Sequence, residues 1–207
     1  AILTHAAKRG WCDRPSFDRP KEPPGRTRWL SVDEAEALIA ASADHLRPLV
    51  VLMLYTGARL GEAMWLDWRE VDLMRSSVRY VDTKNGLARG VPLHPRAVAE
   101  LANLDGREGP VFRRADGAPF DPAQKSNTQI KAAWKAARRA AGLSDDVTPH
   151  TLRHTWASWH YGANRDVYAL MALGGWQTIS MVQRYTHVNV DTMAAGILAL
   201  PNRRMEG

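Results

Sequence analysis

The chain has 207 residues, of which 45% are hydrophobic and 24% are charged, and its formal net charge at pH 7 is +6. This length supports one domain with its own core, and the composition excludes a disordered or collagen-like chain. The single cysteine, Cys12, excludes an internal disulfide and a cysteine-rich metal site and fits a reducing compartment. No apolar run approaches the length of a membrane span, so we expect no membrane association. The excess of lysine and arginine over aspartate and glutamate favours binding to polyanionic partners.

The N-terminal segment predicts a short element followed by a linker. Residues 1–11 are typical of the end of a helix and carry no core of their own. Residues 13–28 contain four prolines among lysines and arginines, which indicates an extended basic linker. We therefore expect residues 1–28 to be the end of an upstream domain plus a linker, and residues 29–207 to be a separate domain.

The rest of the chain predicts helices around one small sheet. Ser31-Val-Asp-Glu34 has the spacing of a capping box, so a helix should begin at Val32 and end near Ala41. Periodicity and breaker residues predict further helices at 46–55, 60–66, 95–104, 127–141, 151–161, 166–173, 179–184 and 190–200. Strands are predicted at 77–82, 88–93 and 111–112, with a hairpin turn at Lys84-Asn85-Gly86. The fold class is therefore α+β, mainly α-helical with a small antiparallel three-stranded sheet.

Six dispersed side chains together have the chemistry of a phosphodiester site: Arg59, Lys84, His150, Arg153, Trp176 and Tyr185. Two guanidinium groups can clamp the non-bridging oxygens of a phosphate with forked hydrogen bonds. A tyrosine hydroxyl is a feasible nucleophile when a base takes its proton, and a lysine can protonate the leaving oxygen. This chemistry needs neither a metal nor a cofactor. Each residue alone is more often a surface or packing residue, so only the combination points to function.

Three sequence boxes resemble those of the tyrosine recombinases of the phage-integrase type. Residues 56–62 (TGARLGE) are similar to the first arginine box of this family, and residues 150–154 (HTLRH) are similar to its His-x-x-Arg box. Residues 174–176 (GGW) and 181–187 (MVQRYTH) are similar to its nucleophile box. The likeness extends from about Trp29 to about Ile197, and three boxes in the right order are far more specific than one short motif.

The resemblance implies a fold and a function. The fold is the catalytic domain of a tyrosine recombinase. The function is site-specific DNA recombination through a covalent 3′-phosphotyrosyl intermediate, in the integration or excision of a phage, a prophage or another mobile element. Such an enzyme acts on double-stranded DNA as a tetramer in the bacterial cytoplasm or nucleoid. It carries an upstream core-binding domain, so the present chain alone should bind DNA weakly and recombine poorly.

The resemblance also implies a role for each matching residue. Tyr185 matches the nucleophile, and Arg59 and Arg153 match the phosphate clamp. His150 matches a proton acceptor or phosphate ligand, and Lys84 matches the general acid on the hairpin. Two further matches are Trp176, which would donate to the phosphate and pack the site, and Glu62, which would orient the site or merely cap a helix or pair on the surface. His154 and His187 flank the boxes and are interpreted as supporting contacts.

Two further regions carry predictions about DNA and assembly. Lys131, Lys135 and Arg138 form a basic stripe on one predicted helix, which either contacts DNA phosphates or is a solvated face. Residues 190–200 form an apolar stripe at helical spacing. This tail helix either packs on its own domain or docks on a neighbouring protomer.

Three alternatives remain open at this point. A type IB topoisomerase shares the same constellation, although the short nucleophile box and the tail favour a recombinase. A non-catalytic DNA-binding relative would not need Tyr185, Arg59 and Arg153 together. A metal-dependent nuclease would need a carboxylate cluster, which the sequence does not suggest.

Overall fold

The computed structural model describes residues 2–11, 27–81 and 88–186, which form nine α-helices and one three-stranded sheet in these ranges. The helices are α1 Ile2–Lys8, α2 Val32–Ala41, α3 Arg47–Thr56, α4 Leu60–Met64, α5 Pro95–Ala102, α6 Ser126–Ala140, α7 Pro149–Asn164, α8 Val167–Gly174 and α9 Ile179–Val182. The strands are β1 Val71–Asp72, β2 Ser77–Val81 and β3 Ala88–Pro92, and short 3-10 helices span Trp68–Glu70 and Gln183–Tyr185. The predicted fold class is confirmed. In these ranges no helix combines the length and the apolar character that crossing a membrane requires.

The sheet is antiparallel with the order β1-β2-β3, and Tyr80 in β2 lies opposite Arg89 in β3. Two of its strands were predicted, but the third was placed wrongly, because β1 is Val71–Asp72 and not residues 111–112. Val111 donates its N–H to the carbonyl of Leu66 at 2.9 Å and is buried with Phe112. These residues therefore form core outside the sheet. The predicted turn at residues 84–86 lies outside the described residues.

Helix α3 is the centre of the core. Eight of its ten residues are buried, and it packs against α7, α5 and α2. A helix that is apolar on all sides can be stable only when neighbours surround it. Helix α2, which packs on it, begins at the predicted capping box, where Ser31 Oγ accepts the N–H of Glu34 at 3.1 Å and the Glu34 carboxylate accepts the N–H of Ser31 at 2.9 Å.

The end of α3 fixes where the first arginine box lies. Helix α3 ends at Gly57, whose φ of +67° is in the left-handed region that favours glycine. A Cβ at this position would lie 2.1 Å from the ring of Trp156 in α7. The missing side chain thus allows α7 to approach the turn that carries Arg59.

Helix α7 is longer than the predicted 151–161. It begins at Pro149, which has no N–H to leave unsatisfied in the first turn, and the N–H of Thr148 donates to Thr151 Oγ1 at 2.9 Å. Its first turns carry the second box. The predicted tail helix at 190–200 lies outside the described residues.

Candidate active site

The fold brings the three boxes to one place. The turn after α3 supplies Arg59, helix α7 supplies residues 150–154, the turn after α8 supplies Trp176, and the 3-10 helix after α9 supplies Tyr185. Contacts join them in a chain: the Arg153 guanidinium lies 4.1 Å from the centre of the Trp176 ring, and the Trp176 and Tyr185 rings are 5.6 Å apart. Five of the six predicted residues thus converge, while Lys84 lies outside the described residues.

Arg153 is the most buried member of the site, with only 2% of its surface exposed. Its Nη1 donates to the carbonyl of Gly57 at 2.6 Å, and its Nη2 donates to the carbonyl of Gly174 at 2.7 Å. A guanidinium has five N–H groups, so these two bonds fix the plane and leave others for a ligand. Burial and the nearby Arg59 lower the pKa of Arg153 to about 10, and it therefore stays charged at neutral pH.

The Gly174-Gly175 pair explains how Trp176 covers this arginine. Helix α8 ends at Gly175, whose φ is +66°. A Cβ on Gly174 would lie 2.1 Å from the Trp176 indole. The two glycines therefore let the chain turn tightly enough for the indole to fold back over the guanidinium.

Tyr185 is 8% exposed, and its hydroxyl lies 2.5 Å from Nδ1 of His154. Burial raises the pKa of Tyr185, although the charges of Arg184 and Arg153 oppose this effect. Burial, together with His150, Arg184 and Arg153, lowers the pKa of His154 to about 4. At neutral pH the imidazole and the tyrosine hydroxyl are therefore both neutral, and the hydroxyl donates to Nδ1 when the ring carries its proton on Nε2.

The interpretation of His154 as a mere supporting contact was incomplete, because this side chain touches the predicted nucleophile itself. His150 lies one turn earlier on α7 and packs edge-on against the His154 ring, with the ring centres 4.5 Å apart. Burial and the charges of Arg153, Arg59 and Arg184 lower the pKa of His150 as well.

Arg59 lies at the open side of the site, where its side chain is 44% exposed. It is held by Glu62, whose carboxylate accepts the Arg59 N–H at 2.7 Å and Arg59 Nη1 at 2.7 Å. The same carboxylate accepts two bonds from Arg89, at 3.0 and 2.7 Å. Burial alone would raise the pKa of Glu62, but the hydrogen bonds from Arg89 and Arg59 lower it to about 2. Glu62 is 12% exposed, so it is an inward-facing carboxylate rather than part of a surface pair.

Residues 28–192 match the phage integrase family. The chain belongs to this family. The integrase of Salmonella phage P22 is 33% identical over 198 residues, which cover 90% of this chain and 51% of that protein. Among solved structures, XerA recombinase superposes with a TM-score of 0.69 at 25% identity, covering 98% of this chain and 74% of that one. The catalytic domain of bacteriophage HP1 integrase gives 0.64 at 24% identity, covering 84% and 95%. The chain thus spans about half the length of its curated phage relative.

Sequence reasoning missed Arg89 in this phage-integrase-family chain. Arg89 in β3 donates from Nε to the carbonyl of Leu173 at 2.9 Å, and its guanidinium lies 5.0 Å from the centre of the Tyr80 ring. Together with the two bonds to Glu62, these contacts tie the sheet to α4 and to the end of α8. The only signal in the sequence was an arginine opposite a tyrosine in the predicted hairpin.

The predicted basic stripe on α6 divides into two parts. Lys131 and Lys135 are exposed and point away from the core. Arg138 is largely covered, because its Nη1 donates to the carbonyl of Asp145 at 2.9 Å and its Nη2 pairs with the Asp145 carboxylate. In the ranges that the structure describes, no group of three His, Cys, Asp or Glu side chains could hold a metal ion.

Proposed function

We propose that the protein containing this chain is a site-specific DNA recombinase that cleaves and rejoins strands through a 3′-phosphotyrosyl bond to Tyr185. The observation that carries the proposal is the position of the Tyr185 hydroxyl. It is buried, bonded to His154, and close enough to Arg153 for that charge to oppose the rise in its pKa that burial causes. Membership of the phage integrase family supports it. So does the integrase of the Tn1549 transposon, a neighbour with a TM-score of 0.68 at 18% identity, which was solved in complex with a circular intermediate DNA.

Each residue then has a role in transferring the phosphoryl group. Tyr185 attacks the scissile phosphorus, and Arg59 and Arg153 stabilise the charge that develops on the non-bridging oxygens. Trp176 packs over Arg153 and donates to the phosphate, and His150 is a phosphate ligand. Lys84 protonates the leaving 5′-oxygen. Glu62 orients Arg59, so that its free N–H groups point into the site.

The wider protein supplies DNA binding and assembly. Lys131 and Lys135 contact the DNA backbone, and Arg138 joins them when its pair with Asp145 opens. Residues 1–28 connect to an upstream core-binding domain, and residues 29–207 form the catalytic domain. Four protomers assemble on two double-stranded DNA sites in the bacterial cytoplasm or nucleoid, with the tail at 190–200 docked on a neighbour.

A covalent-capture experiment tests the proposal. Nicked duplexes of randomised sequence are incubated with the full-length protein that contains this chain, and SDS-resistant protein–DNA adducts are isolated and sequenced to define a substrate. Tyr185→Phe removes one oxygen and should abolish the adduct. Tyr161→Phe is the matched control, because Tyr161 is equally buried in the same apolar cluster, and it should form adduct at the wild-type rate.

The outcomes separate the alternatives. No adduct from the wild-type full-length protein, or equal adduct from Tyr185→Phe, contradicts the proposal. Loss of cleavage in EDTA indicates a metal-dependent nuclease. Relaxation of a supercoiled plasmid without exchange of partner strands, by the full-length protein, indicates a topoisomerase.

A further inference from the structure

The contact between Tyr185 and His154 indicates a chemical role for the histidine in addition to a structural one. His154 follows Arg153 on α7, and its Nδ1 lies 2.5 Å from the Tyr185 hydroxyl, with the two rings tilted at 41°. We propose that His154 accepts the proton of Tyr185 during strand cleavage and returns it during rejoining. This inference rests on the proposed function and adds a catalytic residue to it.

Geometry favours His154 over His150 for this step. A proton acceptor must lie within hydrogen-bonding reach of the group that it deprotonates. Among the described side chains, the hydrogen bond of the Tyr185 hydroxyl goes to His154, whereas His150 packs at a right angle to the His154 ring. His154 is therefore the histidine that is placed to accept the proton of Tyr185.

The charges around His154 make its basicity depend on the substrate. On its own helix it faces His150 and Arg153, and from the segment after α9 it faces Arg184 and the neutral Tyr185. These cations and burial hold its pKa near 4, while burial raises the pKa of Tyr185, so the proton stays on the tyrosine in the free protein. A bound phosphodiester brings a negative charge that offsets the cations and raises the pKa of His154. The base is therefore activated when DNA binds.

Cleavage and rejoining move the tyrosine proton in opposite directions. The Tyr185 oxygen forms a bond to phosphorus as its proton moves to Nδ1 of His154, which becomes an imidazolium with Nε2 already protonated. The bond between phosphorus and the 5′-oxygen breaks, and that oxygen takes a proton from the general acid. In rejoining, the 5′-hydroxyl attacks phosphorus and returns its proton to the general acid, while the Tyr185 oxygen leaves and recovers the proton from Nδ1.

His154→Asn is the most informative variant, because the asparagine Oδ1 occupies the place of Nδ1 and can accept the hydrogen bond but cannot hold a proton. The duplex selected by covalent capture is the probe. We expect adduct formation to slow by about 100-fold or more, the usual contribution of a general base. His160→Asn is the matched control, since His160 lies on the same helix and packs on Trp156 away from the nucleophile. It should react at the wild-type rate.

The pH profile separates proton transfer from mere positioning. The wild-type rate should fall on the acidic side as His154 becomes protonated, and His154→Asn should lack this fall. His150→Asn should keep it, displaced to higher pH, because a cation that lowers the pKa of His154 has been removed. Loss of the acidic fall in His150→Asn, with the fall retained in His154→Asn, overturns the assignment.

Two controls distinguish a failure of this inference from misfolding of a variant and from a failure of the proposed function. Nitrogen NMR of the unmodified chain should find His154 protonated on Nε2 and bare on Nδ1, and a proton on Nδ1 overturns the inference whether or not the variant folds. If His154→Asn forms adduct at the wild-type rate while Tyr185→Phe forms none, the inference fails and the proposed function stands. If the wild-type full-length protein forms none, the proposed function itself fails.

Discussion

The site has two halves that are held in different ways. The inner half consists of Arg153, His154, Trp176 and Tyr185. Arg153 and Tyr185 are buried, His154 and Trp176 are partly buried, and the Arg153 guanidinium is fixed by two backbone carbonyls and an indole. The outer half consists of Arg59, Glu62, Arg89 and His150. Arg59 and His150 in this half are exposed, and Arg59 and Arg89 are fixed by ion pairs to the Glu62 carboxylate.

This difference between the halves explains how a phosphate site can be both preorganised and accessible to DNA. Salt does not break hydrogen bonds to backbone carbonyls or the packing of rings, and these groups have few alternative positions. The inner half should therefore keep its geometry without DNA. Ion pairs near the surface weaken as ionic strength rises, and they can exchange a protein carboxylate for a phosphate oxygen. The outer half is therefore the part that can adjust when DNA binds.

The largest loss of stability should come from Gly57→Ala, which disturbs the packing that supports the inner half. The new Cβ would overlap the Trp156 ring, and the left-handed backbone adds its own cost, so we expect a loss of about 3–5 kcal/mol in the free energy of unfolding. Gly142→Ala is the control, because Gly142 has a φ of +70° and open space around its Cα. It should cost only about 1 kcal/mol. The free energy of unfolding of both variants is measured in urea. Equal losses in the two variants would show that the contact with Trp156 is unimportant for stability.

Lysine substitutions of the two clamp arginines should distinguish the halves directly. Arg153→Lys loses two carbonyl bonds from a buried cation and should destabilise the protein by about 2–3 kcal/mol. Arg59→Lys breaks a partly exposed pair and should cost less than about 1 kcal/mol. Both lose the forked geometry, so both should slow adduct formation by about 100- to 1,000-fold.

Thermal unfolding and adduct formation, measured on the same samples, check this pair of variants. A loss of stability that is equal in both removes the distinction between the halves. If DNA binding falls as much as cleavage in either variant, that arginine is a docking residue and does not act on the transition state.

The sequence predicted those parts whose signals are local. The capping box at Ser31 and Glu34 marks the start of α2 to the residue, and the short boxes mark Arg153 and Tyr185 as members of one site. The third strand escaped prediction, because Val71 and Asp72 are too short a pair to show alternation, whereas Val111 and Phe112 have strand-like side chains but form core outside the sheet.

The supports of the site could not be predicted, because they join residues that are far apart in the chain. The bonds from Arg153 span 96 residues to Gly57 and 21 residues to Gly174, and their acceptors are backbone carbonyls, which every residue has. The bond between His154 and Tyr185 spans 31 residues. Arg89 reaches Glu62 across 27 residues from a strand that carries no motif. Only the tertiary packing of α3, α7 and α8 brings these groups together.

The last prediction concerns the pH dependence of stability in the outer half. The pKa of Glu62 falls from an ordinary 4.5 to about 2 on folding, so its carboxylate stabilises the protein fully above about pH 4.5, and this contribution is lost as pH falls toward 2. Between pH 4.5 and 3 the loss should be about 2 kcal/mol. Glu62→Gln should show a shallower decline over the same window in urea unfolding. An unchanged slope contradicts the role of the two arginines in holding this carboxylate.

Mapping the covalent bond tests the central claim most directly. After capture of a nicked duplex and digestion of the DNA, trypsin cleaves after Arg184 and releases a peptide from Tyr185 to Arg203 that contains no other tyrosine. We expect mass spectrometry to find a 3′-phosphonucleotide on Tyr185 of this peptide, and none in the Tyr185→Phe variant. A phosphonucleotide on any other residue, or an adduct that survives in the variant, contradicts the assignment of Tyr185 as the nucleophile.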